Sequence, residues 1–414
     1  MHAVVLSIGS ELVSGLRLDT HSAAISKALT GLGIDVLRHE TLDDDAPAIA
    51  AAIRRAAADA TLIVATGGLG PTLDDCTRQA LAEAMGVPLE EHPAAVAHLH
   101  AWAAVRNRTL SPSNLVQAML PSGADVLSNP VGTAVGIDAR VGDARFFVMP
   151  GVPAEMVQML RDEVLPRVRA MLGGAAGRVT LVRSLRTFGV PESQVGEKLA
   201  DLMAPGRRPH VGTAVTGGMI DIHIYATGTP AEAAALAEAD AAAVRARLGD
   251  AVFVEGDEGL EHAVAALLDR RGLTVAVAES CTGGLVAAKL VNVPGISGRF
   301  LEGVVAYSNA AKVRSLGVPE ELLAAHGAVS EPVARAMAEG VRALADAGVA
   351  ASVTGIAGPG GGTPGKPVGL VWMAVADARG TVAAREIFSG DRTLIRERAA
   401  HYTLNLLRLR LLEE

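Results

Sequence analysis

The chain has 414 residues, enough for two or three domains, and half of it is hydrophobic with aromatics at only 3%, so Val, Leu, Ile and Ala must pack its cores in an α/β fold. A net charge of -8 gives no counterion-release drive toward nucleic acid, and two Trp, three Tyr and six Phe leave little for base stacking, which excludes nucleic acid as a main partner. Cys76 and Cys281 match neither a disulfide framework nor a metal-ligand spacing, and no apolar run reaches the ~18 residues of a membrane span, so a cytoplasmic chain without membrane contact is expected.

In chain order, short apolar runs (Ala3 to Ile8, Ile34 to Arg38, Leu62 to Thr66) alternate with helix-like stretches (Thr20 to Leu32, Ala46 to Ala58, Asp75 to Met85), the pattern of a parallel sheet. Another strand, Arg145 to Met149, leads into a helix ending near Gly173, and the run Gly173 to Gly177 marks a domain boundary. The stretch Thr66 to Asp75 follows a predicted strand and opens a helix. Its backbone amides can wrap a phosphate, and a carboxylate there can hold a divalent metal, although Thr72 with Asp75 also has capping-box spacing.

Residues 178 to 254 are predicted as strand, helix (Glu192 to Met203), strand, strand, helix (Ala231 to Leu248), strand, with Gly217 and Gly218 at a hairpin tip. This small α+β piece is KH-like in order but has no clear GxxG loop, and Arg207 with Arg208 is its only basic cluster. A spacer or dimerisation role is preferred over RNA binding.

The last segment opens with a helix (Leu260 to Arg270) and a strand (Leu273 to Ala278), followed by Glu279, Ser280, Cys281, Thr282, Gly283 and Gly284. Strands Val304 to Tyr307 and Ala350 to Thr354 also end in polar loops; if the three are parallel, their loops share one sheet end, where such sheets bind ligands. Ser280 at a strand-to-helix turn is a candidate nucleophile, with Thr282, Gly283 and Gly284 as oxyanion or phosphate donors; the alternative is a plain helix cap. A serine nucleophile needs a base. Only five basic residues are lysines (Lys27, Lys198, Lys289, Lys312 and Lys366), so a lysine is an unusual choice here; unlike arginine it can lose its proton, and Lys312 lies one turn inside the helix after its strand. Tyr307 is placed to relay a proton between Ser280 and Lys312 or to the leaving group. The loop from Thr354 through Gly355, Gly358 and Gly365 permits close approach of backbone amides to an anion, with Lys366 adding charge.

AESCTGG (278 to 284), VVAYSNAAK (304 to 312), GAVS (327 to 330), TGIAGPGGG (354 to 362) and KPVG (366 to 369) together resemble the C-terminal domain of the CinA family, nicotinamide-mononucleotide amidohydrolases, across 256 to 414. The resemblance implies Ser280, Tyr307 and Lys312 as catalytic residues and a reaction without a cofactor. It also implies Thr282, Gly283, Thr354, Gly355, Gly358 and Arg392 as substrate-binding residues. The glycine stretch, with GSE (9 to 11), Asp44, NPVGTAVG (129 to 136) and PGVPAEM (150 to 156), resembles the molybdopterin-cofactor-binding-like domain of the same family over 1 to 172. That implies ADP-ribose pyrophosphatase activity, with Ser10, Glu11, Gly67, Gly68, Gly70 and Thr72 on phosphate and Asp44 and Asp75 on a divalent metal. Asp19 and His21 stand where asparagines are expected. The expectation is an α/β chain of three domains: a molybdopterin-binding-like parallel-sheet domain (1-172), a KH-like α+β domain (178-254) and a three-layer α/β amidohydrolase domain (256-414). Its partners would be nicotinamide mononucleotide, ADP-ribose and, by resemblance, a second copy in a homodimer. Alternatives from other classes are a competence or recombination accessory acting through protein contacts, and a molybdopterin-binding N-terminal domain.

Overall fold

The computed structural model describes residues 1–173 and 177–413, so Gly174, Ala175 and Ala176 of the expected boundary run lie outside the described residues. The contacts divide the chain into two compact units, Met1–Val182 with Ala226–Leu236, and Arg183–Tyr225 with the chain from Ala237 onward, so the division runs through the middle α+β region.

The first region is a six-stranded sheet in the order Asp35–Leu42, His2–Ile8, Leu62–Thr66, Ala144–Met149, Gly136–Val141, Asp125–Leu127. The first four strands are parallel and the last two add antiparallel, so the expected parallel sheet is extended on one side by an antiparallel pair. Period-two alternation sends Val4, Leu6, Ile63, Ala65, Phe146 and Val148 to a core under helix Ala46–Asp59. Ala3, Val5, Leu62, Val64, Phe147 and Met149 face the opposite core with Ile25, Leu29 and Met159. The helix after Pro153 carries a π segment, Leu160–Val164.

The middle region has the expected element order and a four-stranded sheet running His210–Thr216, Met219–Gly228, Val179–Thr187, Val252–Glu255. Gly217 and Gly218 both take positive φ, 60° and 84°, as a two-residue turn between paired Thr216 and Met219 requires. The helix expected over Glu192 to Met203 ends at Lys198. Arg207 is held by Asp240 at 2.6 and 2.7 Å, so it is not a free basic patch.

The last region is a five-stranded sheet in the order Phe300–Val305, Val275–Glu279, Val349–Gly355, Leu370–Asp377, Gly380–Ile387. The first three strands are parallel, with Glu279 opposite both Val305 and Val353, so their three loops do share one edge. Val275, Val277, Ala351 and Val353 pack against the helices Leu260–Arg271 and Arg392–Leu412. Ala276, Ala278 and Ala350 face Val333, Met337 and Val341 of the helix Glu331–Leu344 on the other side. Helices on both faces make three layers. The second strand ends at Val305 rather than at Tyr307, which therefore lies on the loop.

Candidate active site

Ser280 directly follows the strand Val275–Glu279, the middle one of the three parallel strands, and its amide continues the ladder onto Val353 O at 3.0 Å. The turn that follows needs glycine: Gly283 and Gly284 have φ of 65° and 95°. Helix Asn309–Leu316, capped by the Ser308 side chain on Ala311 N, brings Lys312 back under this turn. Lys312 is only 1% exposed, and its Nζ donates to Ser280 Oγ at 2.9 Å and to Ala306 O at 2.7 Å. Burial pushes the pKa of Lys312 below its ordinary value, weakly opposed by Cys281. The two bond directly, so the expected relay through Tyr307 between them is not the arrangement found.

The Tyr307 ring is exposed and its hydroxyl accepts from Arg392 Nη2 at 3.0 Å, while Arg392 Nη1 donates to Gly358 O at 2.7 Å. Arg392 starts the helix Arg392–Leu412, and these contacts tie the Tyr307 and Gly358 loops to the helix start in one rim. One turn on, Arg396 donates to Thr282 O at 2.7 Å, a contact not anticipated from sequence. Burial pushes the Cys281 thiol up to about 12, which leaves it a poor nucleophile beside Ser280.

Several anion donors expected from sequence are already engaged. Gly284 N, Val286 N and Ala287 N donate to the buried Glu279 carboxylate at 3.0, 3.1 and 2.8 Å, and Gly283 N turns back onto Ser280 O. Glu279 was read as part of the motif without a role. Thr354 is buried with its hydroxyl on Ala328 O at 2.9 Å, and Lys366 Nζ sits on His326 O and Val329 O at 2.5 and 2.8 Å, so both secure the 327 to 330 loop. At Gly355 a side chain would meet Val371, Leu370 O and the Cys281 sulfur at 2.7 to 3.1 Å, so glycine is required there for packing. The Thr282 hydroxyl is buried without a partner among the described residues.

The N-terminal candidates are engaged with partners inside the fold, and the Cys76 thiol is pushed up by burial and by Asp44 and Asp75, which both lie close to it. Gly67 N donates to Met149 O at 3.0 Å, and Gly70 N and Thr72 N donate to the two Asp75 oxygens at 2.8 and 2.9 Å, so three of the expected phosphate donors are satisfied within the fold. Gly68 gives its carbonyl to Thr77 N. The helix starts at Thr77, so Asp75 closes its own loop rather than completing a capping box with Thr72. Ser10 N and Oγ both donate to Asp44 Oδ2, at 2.8 and 3.0 Å, and Oγ also bonds Asp43. Both Asp75 oxygens are engaged with its own loop, and among the described residues no group of three or more His, Cys, Asp or Glu side chains is placed to hold a divalent cation. An open cleft lies where Glu11, Arg17, Asp19, His21, Thr66 and Gly151 meet. Burial pushes His21 below its usual value despite nearby Asp19, and burial works to raise Asp19 but is outweighed by the Ser22 hydroxyl and amide, Ser7 and His21 together, which hold it low.

Three family profiles match the chain: the CinA C-terminal domain at residues 257–411, the probable molybdopterin binding domain at 4–170, and the damage-inducible protein CinA KH domain at 182–254. A CinA-like protein of Citrifermentans bemidjiense is 44% identical over 412 residues, 100% of this chain and 98% of that protein. A putative competence-damage inducible protein of Moorella thermoacetica is 42% identical over 409 residues, 98% of each. The crystal structure of the competence/damage inducible protein CihA from Agrobacterium tumefaciens is 40% identical, covering 37% of this chain and 93% of that one, with a TM-score of 0.36. The domain set supports a nucleotide-related, enzyme-like function. With that identity to relatives over its full length, the chain belongs to the CinA family.

Proposed function

We propose that the C-terminal domain hydrolyses the carboxamide of nicotinamide mononucleotide to nicotinate mononucleotide and ammonia. One observation carries this reading: a fully buried lysine whose neutral form burial favours, 2.9 Å from the hydroxyl of a serine at the carboxyl end of a parallel strand. Neutral Lys312 takes the Ser280 proton as Oγ forms its bond to the amide carbon. The resulting ammonium returns that proton to the nitrogen, the C–N bond breaks and ammonia leaves. A water gives a proton to the same lysine as it attacks the acyl-serine ester. The lysine returns that proton to Ser280 Oγ as the C–O bond breaks, and the acid product ionises to the carboxylate. The Tyr307–Arg392 rim is the substrate's point of entry, and Arg392 supplies a cation for its phosphate.

The test is ammonia release from nicotinamide mononucleotide by the whole chain. Ser280→Ala is expected to lose at least about a thousandfold in kcat, and Cys281→Ala to stay within a few-fold of wild type. Full activity in Ser280→Ala overturns the scheme.

For the N-terminal domain, the pyrophosphatase reading has less support, because its candidate phosphate donors and Asp75 are engaged with one another. A nucleotide-binding role in the cleft around Glu11 and His21 fits better. Ser280→Ala protein incubated with ADP-ribose and a divalent metal separates the two: release of phosphate-ester products supports hydrolysis, and saturable binding without products supports the binding role.

A further inference from the structure

We propose that Glu279 is a positioning residue that fixes Ser280 against Lys312; this rests on the deamidase reading. Glu279 is the last residue of its strand and is 1% exposed. A carboxylate removed from water is costly unless its lone pairs are filled, and here three backbone amides and, among the described residues, no side-chain cation bond to it. Those amides belong to Gly284, the residue capping helix Leu285–Val291, and to Val286 and Ala287 within it. Gly284 offers no side chain to cap that helix, and its φ of 95° disfavours the Ser or Asp that would, so the Glu279 carboxylate five residues upstream takes those amides instead.

What the buried charge adds is closure. The Glu279 side chain reaches over the nucleophile turn and takes the amide at its far end, while the turn's near end is pinned by Ser280 N on Val353 O and its middle by Arg396 on Thr282 O. Ser280 thus sits in a short loop held at both ends and at its centre, while Lys312 is fixed independently by Ala306 O. The same carboxylate consumes the amides that would otherwise draw a phosphate to this helix, so the substrate phosphate belongs at the arginine rim.

The experiment measures two things on full-length wild type, Glu279→Gln, Glu279→Asp and Arg396→Met: the rate at which a fluorophosphonate labels Ser280, with Ser280→Ala as the blank, and steady-state ammonia release from nicotinamide mononucleotide and from its riboside, which lacks phosphate. In folded Glu279→Gln both labelling and kcat are expected to fall about 10- to 100-fold, since misplacing a reacting atom by about 1 Å has that effect, with KM for each substrate within about threefold. Glu279→Asp, which keeps the charge but is shorter, is expected to lie between the two. Wild-type labelling and kcat in Glu279→Gln overturn the proposal, as does a loss confined to KM for the phosphorylated substrate. If Glu279→Gln does not fold, Arg396→Met decides: reduced labelling with unchanged KM supports the braced turn, and wild-type labelling overturns it. A wild-type chain that labels normally but releases no ammonia refutes the substrate reading and leaves the labelling comparison to judge Glu279. A wild-type chain that does neither refutes both.

Discussion

Lysines are scarce in this chain, and their surroundings separate their roles. Lys289 pairs with Glu397 at 2.9 Å and Lys366 holds loop carbonyls, whereas buried Lys312 faces a serine hydroxyl and two carbonyls, with no carboxylate bonded to it among the described residues. Burial therefore lowers its pKa from the ordinary 10.5. Activity requires the neutral amine, so kcat/KM is expected to rise with pH and level off below the range of a free lysine; Lys312→Arg, which stays charged, is expected to be inactive throughout. Between the lowered value and 10.5 the unfolded chain binds more protons here than the folded one, so stability should also rise with pH in that window. Urea melts at about pH 7 and about pH 9.5 check this: Lys312→Met should gain less stability than wild type on going to the higher pH, and an equal gain would mean the site does not titrate as its burial implies. Lys312 stood out in sequence because of its rarity. Glu279 did not, because a carboxylate beside a polar turn looks solvated until the returning amides are seen.

At the scale of elements, the helix Arg392–Leu412 begins at the rim with Arg392 and passes Thr282 with Arg396. Losing a charge-assisted contact to a phosphate costs about 1.5–3 kcal/mol, so Arg392→Ala is expected to raise KM for nicotinamide mononucleotide at least about tenfold while leaving kcat and the KM of the riboside nearly unchanged. Equal effects on both substrates would place the phosphate elsewhere. The elements legible in sequence were those buried on two faces: Ala3 to Ile8 and Leu62 to Thr66 are continuous apolar runs because helices cover both sides of their sheet. Edge strands were harder. Asp35–Leu42 and Phe300–Val305 alternate between more and less exposed positions, so Glu40 and Glu302 hid their true extents. The antiparallel pair Asp125–Leu127 and Gly136–Val141 was not anticipated, and pairing across a separating loop is a tertiary fact that local pattern does not carry. For the candidate site, strand ends and a rare lysine brought the right loops into view, but the destinations of Thr354, Lys366 and the glycine amides depend on partners distant in sequence.

At the scale of the molecule, the middle region's role follows from what it shares with the C-terminal one. Phe188 and Met219 belong to the same buried cluster as Val277, Val353 and Leu404, and the Phe188 ring meets Tyr402 edge-on at 4.9 Å. The buried Arg408 guanidinium donates to Asp250 O at 2.6 Å and to Asn405 Oδ1. Parts that share a core should not unfold separately. Removing Phe188 opens a cavity in that common core, at about 3–5 kcal/mol for Phe→Ala, and the helix bearing Tyr402 and Arg408 is the one whose first turn carries Arg392. Phe188→Ala is therefore expected to lower the midpoint at which the proposed deamidase activity is lost on heating by several degrees, while the unit containing Met1–Val182 melts as before. Calorimetry with parallel activity measurements checks it. If the activity midpoint stays at the wild-type temperature while a separate transition moves, the middle region is an independent spacer, and the shared cluster contributes nothing to holding the catalytic domain together.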